Sequence, residues 1–582
     1  MVRALRLSRK VPVLLAIASF MVAIAIHSIS EPIASAKPNW ITRSNENTNL
    51  LIKAESESNC TDQPTLSQSL LKLDTNYVQC YERNLNDAVA TLQTKRKQET
   101  EPSVKLDLEI LIQSANEELR SIQLDRRYRL PYVNLAREIN RSIDDLNKRD
   151  LTKQLKRISG ENTTAIATMA IQRMRESMTQ ENVFFPEKSQ LEKDLANTAI
   201  QLEQIKQRIE QQKIDQSSYT KLKAQLTEYT NFVRQEILPK ARTSFRLPSE
   251  LYAAELAERG VEIPIDELLQ NAHSAFAAIQ QEMNVLAPQI ARQKGFQAKD
   301  YGDVIRALKQ EQLPSDQILP HYQKRQKEIE AIIQREKLVT LPKRPLTIRL
   351  TTDRENAIFP VPQYHAPKAS SKTAGTFIIP LLKPDPQPRT YNDFTYAAVS
   401  WTLTAHEGRP GHDLQFTTIQ DQGISEARSK FGYNPANHEG WALYAEAITL
   451  PFMPIEGQFI SLQFQLLRAA RAFLEPELHL GKISTTEALR VLTEEAGYSK
   501  FFAQQEIDRY TVRLPGHAPS YFYGYQRLMQ LRKDVEQQLG EKFDSQKFHD
   551  FILTQGFMPQ RLLRQAVLEQ FTQARLGDES IP

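Results

Sequence analysis

Two histidines and a glutamate stand close together in "AHEGRPGHDLQ", residues 405–415. His406 and His412 offer imidazole nitrogens, which zinc favours as ligands. A catalytic zinc site takes three protein ligands and keeps one position for water. Glu407, beside the first histidine, has the chemistry to take a proton from that water. The segment is therefore a candidate hydrolytic zinc site.

The spacing of the two histidines does not fit a regular helix. Residues four apart lie about 40° apart around a helix axis, whereas residues six apart lie about 120° apart. Pro410 cannot donate to the His406 carbonyl and clashes with it, and Gly408 and Gly411 permit backbone conformations that other residues avoid. We therefore expect the helix to end before Gly408 and to restart near His412. The alternative is a corner between two helices with hydrogen-bonded histidines, and spacing alone does not decide.

A third zinc ligand is available in "NHEGWALYAE". Glu439 lies 27 residues after His412, which leaves room for a second helix to return antiparallel to the first. His438 would point about 100° away from Glu439 on a helix, so we do not expect it to be a ligand. Glu446 lies two turns further on, where it either orients an imidazole or forms an ion pair.

Helices must position these residues, because helical periodicity dominates the sequence. It runs from about 66 to 338, with breaks at prolines, and resumes at Tyr391. Between 339 and 391, "LVTLPKRPLTIRLTTD" and "GTFIIPLLKPD" indicate short strands. The second is either an edge strand beside the cleft, able to pair with an extended peptide, or a buried structural strand. We predict a mainly α fold with a few short β-strands, a helical lobe at 66–338 and a catalytic lobe at 339–582.

The N-terminal residues are typical of an export signal. A basic stretch from Arg3 to Lys10 precedes the apolar run "VPVLLAIASFMVAIAI", and "ASA" at 34–36 fits a cleavage site. We expect cleavage after Ala36, with an uncleaved membrane anchor as the alternative. No cysteine closely follows the apolar run, which argues against a lipid anchor. Residues 37–65 are polar and aperiodic, and we predict a flexible segment there.

Charge and cysteine content narrow the class of protein further. The 582-residue chain has a formal net charge of +4, but four basic residues and one glutamate within the first 36 residues account for +3 of it. No nucleic-acid partner is expected for the nearly neutral remainder. Cys60 and Cys80 are the two cysteines of the chain, and in an exported protein they predict one disulfide.

Four segments, taken together, resemble a known family. The chain is similar to the bacterial domain-of-unknown-function family numbered 885 in the order of "HEGRPGHDLQ", "EGWALYAE", "RYTVRLPGHAPSYFYGYQRLMQLR" and "GEKFDSQKFHDFILTQGFMP". The similarity is strong from about 375 to 572 and weaker from about 66. It implies a large, mainly helical fold of the zincin-like (gluzincin-type) metallopeptidases. It also implies zinc ligands at His406, His412 and Glu439, with Glu407 as general base.

The resemblance also implies that "PGHAPSY" forms a second wall of the cleft. Tyr521 matches a tyrosine of the family pattern and could donate a hydrogen bond to an oxyanion. His517 stands where glutamine is common and could do the same. Arg509 and Arg513 could hold a substrate carboxylate. For all four residues, a purely structural role in a packed turn remains the alternative.

These observations predict an exported hydrolase with one zinc ion per chain that cleaves short peptides through metal-activated water. A zinc hydrolase of non-peptide amides or esters would need the same residues. A non-enzymatic helical binding protein of the cell envelope, with a degenerate site, is a third interpretation. Retention of both His406 and Glu407 argues against the third, because a binding protein needs no general base.

Overall fold

The computed structural model describes residues 39–56, 60–61, 66–144, 146–161, 164–358, 361–367, 373–380 and 393–577. The predicted signal sequence and its cleavage site lie outside the described residues. Within the described part of the chain, no helix is long and apolar enough to cross a membrane. The fold is mainly helical, as predicted.

Nine helices make up the first part of the fold. They are α1 (Asn39–Ala54), α2 (Gln68–Leu71), α3 (Thr75–Gln98), α4 (Pro102–Tyr128), α5 (Leu135–Ser142), α6 (Lys148–Ile158), α7 (Ile166–Ser177), α8 (Lys188–Gln211) and α9 (Gln216–Phe232). Prolines mark several boundaries. Pro102 opens α4, where its missing N–H costs nothing, and Pro186 precedes α8.

The segment 37–65, which the sequence predicted to be flexible, is helical over residues 39–54. Helix α1 occupies most of it and buries Ser44, Thr48 and Leu51 completely. The Ser44 hydroxyl donates to Asp107 on α4. The prediction was wrong because this helix buries small polar side chains, which an apolar periodicity does not detect. A disulfide joins Cys60, which follows α1, to Cys80 on α3.

The middle of the chain contains α10 (Ser249–Glu258), α11 (Ile265–Lys294), α12 (Tyr301–Lys309), α13 (Ser315–Arg335) and α14 (Asp353–Ile358). Three short strands follow α13: β1 (Thr347–Leu350), β2 (Gln363–His365) and β3 (Thr376–Ile379). They form one sheet in the order β1-β3-β2, with β3 parallel to β1 and antiparallel to β2. Because β3 is the central strand, "GTFIIPLLKPD" contains a buried structural strand and not an edge strand.

The last part of the chain is helical again. It contains α15 (Val399–Glu407), α16 (His412–Gln422), α17 (Pro435–Thr449), α18 (Ile455–Leu480), α19 (Thr485–Arg490), α20 (Lys500–Asp508), α21 (Ala518–Leu539), α22 (Ser545–Thr554), α23 (Gln560–Ala566) and α24 (Gln573–Leu576). Several π-helical turns extend these helices, among them Arg509–Arg513 after α20.

Two large apolar cores hold the helices together, and both draw on distant parts of the sequence. One combines α1–α9 with side chains of the C-terminal helices, including Phe548 and Phe571. The other combines α10–α13 with the sheet and α18–α21, including Tyr322, Phe377 and Phe459. The packing therefore does not divide the chain at residue 338, where the sequence predicted a boundary between lobes.

Candidate metal centre

The helix that carries His406 ends where the sequence predicted. Helix α15 stops at Glu407 and α16 begins at His412. The residues between them include a cis peptide bond between Arg409 and Pro410. The turn looped out between the helices lets both imidazole rings face one point, with their centroids 4.7 Å apart.

The two glycines of this connection combine unusual backbone angles with close contacts. Gly408 has φ −92° and ψ −125°, and Gly411 has φ −78° and ψ −129°, both outside the α and β regions. A Cβ atom on Gly411 would lie 1.9 Å from the His406 carbonyl oxygen, and one on Gly408 would lie 2.7 Å from that of Thr404. Close approach of the chain to itself is therefore a second reason for glycine at both positions, beside the backbone conformations that the sequence predicted.

Neighbouring side chains fix the connection in place. The indole Nε1 of Trp441 donates to the Pro410 carbonyl at 3.0 Å. Arg409 donates through Nε to Asp413 at 2.8 Å and through Nη1 to Glu330 at 3.0 Å. The turn is thus tied both to α13 and to α17, the helix that carries Glu439.

Glu439 approaches both histidines from α17. The side chain of Asn434 caps this helix by accepting from the Asn437 N–H at 2.8 Å, which sets where its first turn begins. Glu439 Oε2 lies 3.5 Å from His406 Nε2 and 3.4 Å from His412 Nε2. Potential ligand atoms of the three residues all lie within 4.8 Å of one another. Among the described residues, these three form the one group with such an arrangement.

The two separations from Glu439 Oε2 fit a tetrahedral zinc ion. Bonds of about 2.0 Å to nitrogen or oxygen at a tetrahedral angle place two ligand atoms about 3.3 Å apart. Glu439 Oε2 is buried and has no hydrogen-bond partner within the described structure, although a buried carboxylate oxygen left unsatisfied is costly. Two imidazole nitrogens and one carboxylate oxygen leave a fourth position open, as at catalytic sites.

The carboxylates also favour positive charge at this point. Burial alone would lower the pKa of His406, but its interactions with Glu439 and Glu446 raise it to about 9. Burial opposes ionisation of Glu439 as well, yet the two histidines hold its pKa well below the ordinary value. A cation bound among the three side chains would meet the same favourable charge.

Glu446 lies directly behind His406. It accepts from His406 Nδ1 at 2.7 Å, from Thr402 at 2.5 Å and from Arg468 Nη2 at 3.1 Å. A carboxylate accepting from Nδ1 leaves Nε2 free to bind a metal. Of the two alternatives for Glu446, the structure combines both, since this residue orients the imidazole and also pairs with an arginine.

His438 is not part of the group of potential ligands. Its ring stacks on His412 at a centroid distance of 3.9 Å, and its Nδ1 lies 3.0 Å from Gln415 Oε1. It therefore supports the His412 ring by packing. His412 Nδ1 has no hydrogen-bond partner within the described structure.

Glu407, the candidate general base, is buried at the end of α15. Burial raises its pKa, against the opposing effect of the His406 and His412 charges. A carboxylate with a raised pKa is a better proton acceptor than an ordinary one at neutral pH.

A close helix crossing brings Tyr521 to the same place. Gly440 on α17 and Gly524 on α21 face each other so closely that a Cβ on Gly440 would lie 2.6 Å from the Gly524 carbonyl carbon. Tyr521 lies about one turn before Gly524, and Glu439 lies next to Gly440. Burial, followed by the opposing effects of Arg509 and the Glu439 carboxylate, leaves the pKa of Tyr521 raised to about 12. Its hydroxyl therefore keeps its proton and remains a donor.

Three further residues were predicted to line the cleft. The structure places His517 and Arg509 beside Tyr521 and leaves Arg513 away from it. His517 lies beside Tyr521, with ring centroids 5.6 Å apart, and the Arg509 guanidinium lies 5.2 Å from the Tyr521 ring centroid. Burial and the nearby arginines hold the pKa of His517 well below the ordinary value. Arg513 is exposed, and its Nη2 donates to the Gln505 carbonyl at 2.6 Å.

Several residues near the site escaped the sequence analysis. Arg468 and Arg471 are buried on α18, where "LLRAARAFLE" places two arginines one turn apart in an apolar helix. Two arginines in an otherwise apolar helix could have been recognised from the sequence as buried charges, because buried charges need ionic or hydrogen-bonding partners. Arg259, at the end of α10, carries no such signal, since only the packing of distant helices brings it near Glu439.

The fold and the site together define a mainly helical protein with a buried group of two histidines and one glutamate suited to a metal ion. The chain belongs to the family described as bacterial proteins of unknown function, DUF885, whose model matches residues 65–567. No curated protein matches the sequence.

Two solved structures share the fold. A candidate lipoprotein of unknown function from Shewanella oneidensis is 20% identical, with a TM-score of 0.65 over 91% of this chain and 100% of its own. A candidate lipoprotein from Colwellia psychrerythraea is 19% identical, with a TM-score of 0.62 over 91% of this chain and 99% of its own.

Proposed function

We propose that this protein is an exported zinc-dependent hydrolase, and specifically a metallopeptidase that cleaves short peptides. The observation that carries the proposal is the convergence of His406, His412 and Glu439 at zinc-ligand separations, with Glu407 on the same turn of helix as the first ligand. A bound zinc ion would supply a Lewis acid that lowers the pKa of water and polarises the substrate carbonyl.

The chain's own residues supply the proton transfers. Glu407 accepts a proton from the attacking water and later delivers it to the leaving amine nitrogen. The Tyr521 hydroxyl donates to the carbonyl oxygen as negative charge develops there. His517, which burial holds neutral, lines the same wall and is available as a further hydrogen-bonding group.

Export is supported by two independent features. The N-terminal basic stretch and apolar run have the order of a secretory signal. The Cys60–Cys80 disulfide is a bond that persists in oxidising compartments.

The decisive test combines metal analysis with a Glu407→Gln variant. We expect wild type and variant each to bind one zinc ion per chain, measured by mass spectrometry of the purified protein after dialysis. The variant should cleave a peptide mixture about 10²–10⁴-fold more slowly, because only the base is removed. Glu118→Gln on α4, another buried glutamate, should retain full activity.

Two results would contradict the proposal. One is wild-type protein that binds no zinc when the ion is supplied. The other is a zinc-loaded Glu407→Gln variant that cleaves peptides as fast as wild type. Hydrolysis of esters or non-peptide amides with no cleavage of peptides would keep the metal site but replace the substrate class.

A further inference from the structure

Two arginines from different helices border the wall beside the metal centre. Arg259 is the C-cap residue of α10, and its carbonyl accepts from the Ala436 N–H at 3.0 Å. Gly260 packs so tightly on the start of α17 that a Cβ there would lie 2.5 Å from Asn434 Oδ1. The end of α10 is thereby fixed within one turn of Glu439.

Arg509 contacts the same wall through Tyr521. It begins the π-helical turn after α20, and its guanidinium lies over the Tyr521 ring. Arg471 lies over the same ring at 4.7 Å from its centroid. The Tyr521 ring is therefore flanked by two positive charges.

Arg471 has a close carboxylate partner, whereas Arg259 and Arg509 do not. Arg471 donates two hydrogen bonds to Glu506, at 2.6 and 2.9 Å. Arg509 Nη1 approaches the same carboxylate only to 3.5 Å, and Arg259 Nη1 lies 3.8 Å from Glu258. Within the described structure, Nε and Nη2 of both Arg259 and Arg509 have no hydrogen-bond partner.

Such donors would favour an anionic acceptor. The side chains of Arg259 and Arg509 are 16% and 15% exposed, so each is largely desolvated yet not sealed from solvent. Buried donors without acceptors carry a desolvation cost that an incoming anion removes. Burial, Arg509 and Arg259 all lower the pKa of His517, which is consistent with both arginines carrying their charge on this side of the site.

We propose that Arg259 and Arg509 bind the free C-terminal carboxylate of the substrate, which makes this protein a carboxypeptidase. This inference rests on the proposed peptidase function. The planar guanidinium presents paired donors that match the two oxygens of a carboxylate. A carboxylate held by Arg509 would bring the C-terminal residue of the substrate beside Tyr521, whose ring Arg509 contacts. In the cleavage, the C–N bond breaks, the carbonyl carbon gains the water oxygen, and the leaving amine gains a proton.

The test compares two forms of one substrate. N-acetylated tetrapeptides of mixed sequence are prepared with a free C-terminal carboxylate and, separately, with a C-terminal amide. Zinc-loaded wild type should cleave the acids with at least about a tenfold higher kcat/KM, because the amide lacks the charge that the arginines pair with. Arg259→Gln and Arg509→Gln should each lower kcat/KM for the acids about tenfold or more, mainly through KM, and change that for the amides less than threefold.

The control is Arg137→Gln on α5, a partly buried arginine bonded to Glu138 at 3.2 Å, which should leave the preference for acids unchanged. Zinc content and thermal midpoints of all variants exclude misfolding as the cause of a loss. Equal cleavage of acids and amides by wild type would overturn the inference while leaving the peptidase function intact. Equal losses for both substrates in the two arginine variants would overturn it as well.

A separate measurement decides the case in which no peptide is cleaved. The same acids and amides are titrated calorimetrically into zinc-loaded Glu407→Gln protein. Tighter binding of the acids, lost in an added Arg259→Gln substitution, would support the carboxylate site even if the peptidase function fails. Equal binding of acids and amides would overturn it.

Discussion

At the scale of single residues, Glu446 sets the chemistry of His406 without touching the proposed metal position. An ionised carboxylate can only accept hydrogen bonds, so the short contact with His406 Nδ1 requires the proton to be on that nitrogen. Burial opposes ionisation of Glu446, but Arg468 and His406 keep its pKa below the ordinary value. The ring is therefore oriented with Nε2 toward Glu439.

A Glu446→Gln substitution should weaken zinc binding about 10–100-fold, the usual effect of losing a partner that orients a ligand. Glutamine also leaves Arg468 without its carboxylate partner. The measurement is competition for zinc against a chelator of known affinity. Glu118→Gln is the matched control and should bind zinc as wild type does. Unchanged affinity in Glu446→Gln would show that His406 is oriented by its packing alone.

Residue types and spacing made His406, His412 and Glu439 candidates, because ligand chemistry restricts which side chains can serve, and the family resemblance then favoured a metal site over a corner between helices. The sequence also offered Glu446 at the right helical interval. It could not identify Arg259, which lies far from the motifs along the chain. Nor could it distinguish Arg509 from Arg513, because their opposite exposure depends on the π-helical turn that carries both.

At the scale of helices and strands, the contact between α17 and α21 positions Tyr521 relative to Glu439. The two helices approach closely where Gly440 faces Gly524. A Cβ on Gly524 would lie 1.9 Å from the Ala436 carbonyl oxygen, which belongs to the backbone and cannot rotate away. The spacing between these helices therefore sets the distance between the Tyr521 hydroxyl, the proposed hydrogen-bond donor, and Glu439, the proposed metal ligand.

A Gly524→Ala substitution should push α21 away from α17. We expect a loss of about 1–3 kcal/mol in the free energy of unfolding, as for other overpacked sites, and lower activity with zinc still bound. Thermal unfolding and zinc analysis measure the two effects. Gly302→Ala on α12 is the control, since its Cβ would meet only flexible side-chain ends, at 3.1 Å or more. Equal stability of the two variants would contradict the steric argument.

Most element boundaries followed from local chemistry, and the exceptions have physical reasons. Pro410 forced the break between α15 and α16, as the sequence predicted, and Pro102 opens α4 at one of the breaks that prolines make in the helical pattern. Helix α1 was missed because it is fixed by the burial of Ser44 and Thr48 against α4 rather than by an apolar face. The pairing of β3 with two neighbours depends on strands that meet only in the folded chain.

At the scale of the whole molecule, His549 connects three parts of the fold. It lies on α22, its Nδ1 donates to the Leu338 carbonyl at 2.6 Å, and its Nε2 lies 2.7 Å from the Tyr444 hydroxyl on α17. With Nδ1 carrying the proton, the neutral ring leaves Nε2 free to accept from the tyrosine hydroxyl. Burial lowers the pKa of His549 from 6.5 to about 4.

This neutral histidine should make the protein sensitive to acid. Its contribution to stability is fully present above pH 6.5 and is lost as the pH falls toward 4, because only the unfolded chain takes up the proton in that range. The loss amounts to about 3 kcal/mol for a shift of this size. His549→Gln cannot titrate, so its thermal midpoint should fall less between pH 7 and pH 4.5 than that of wild type.

The comparison requires metal-free protein, because acid also releases zinc from histidine ligands. His479, whose pKa burial likewise lowers to about 4, remains in the variant and keeps part of the acid sensitivity. His273→Gln, at a half-exposed position, is the control and should follow the wild-type curve. If His549→Gln also followed that curve, acid sensitivity would have to arise elsewhere in the fold, and the buried junction of α22, α17 and the Leu338 carbonyl would not be its source.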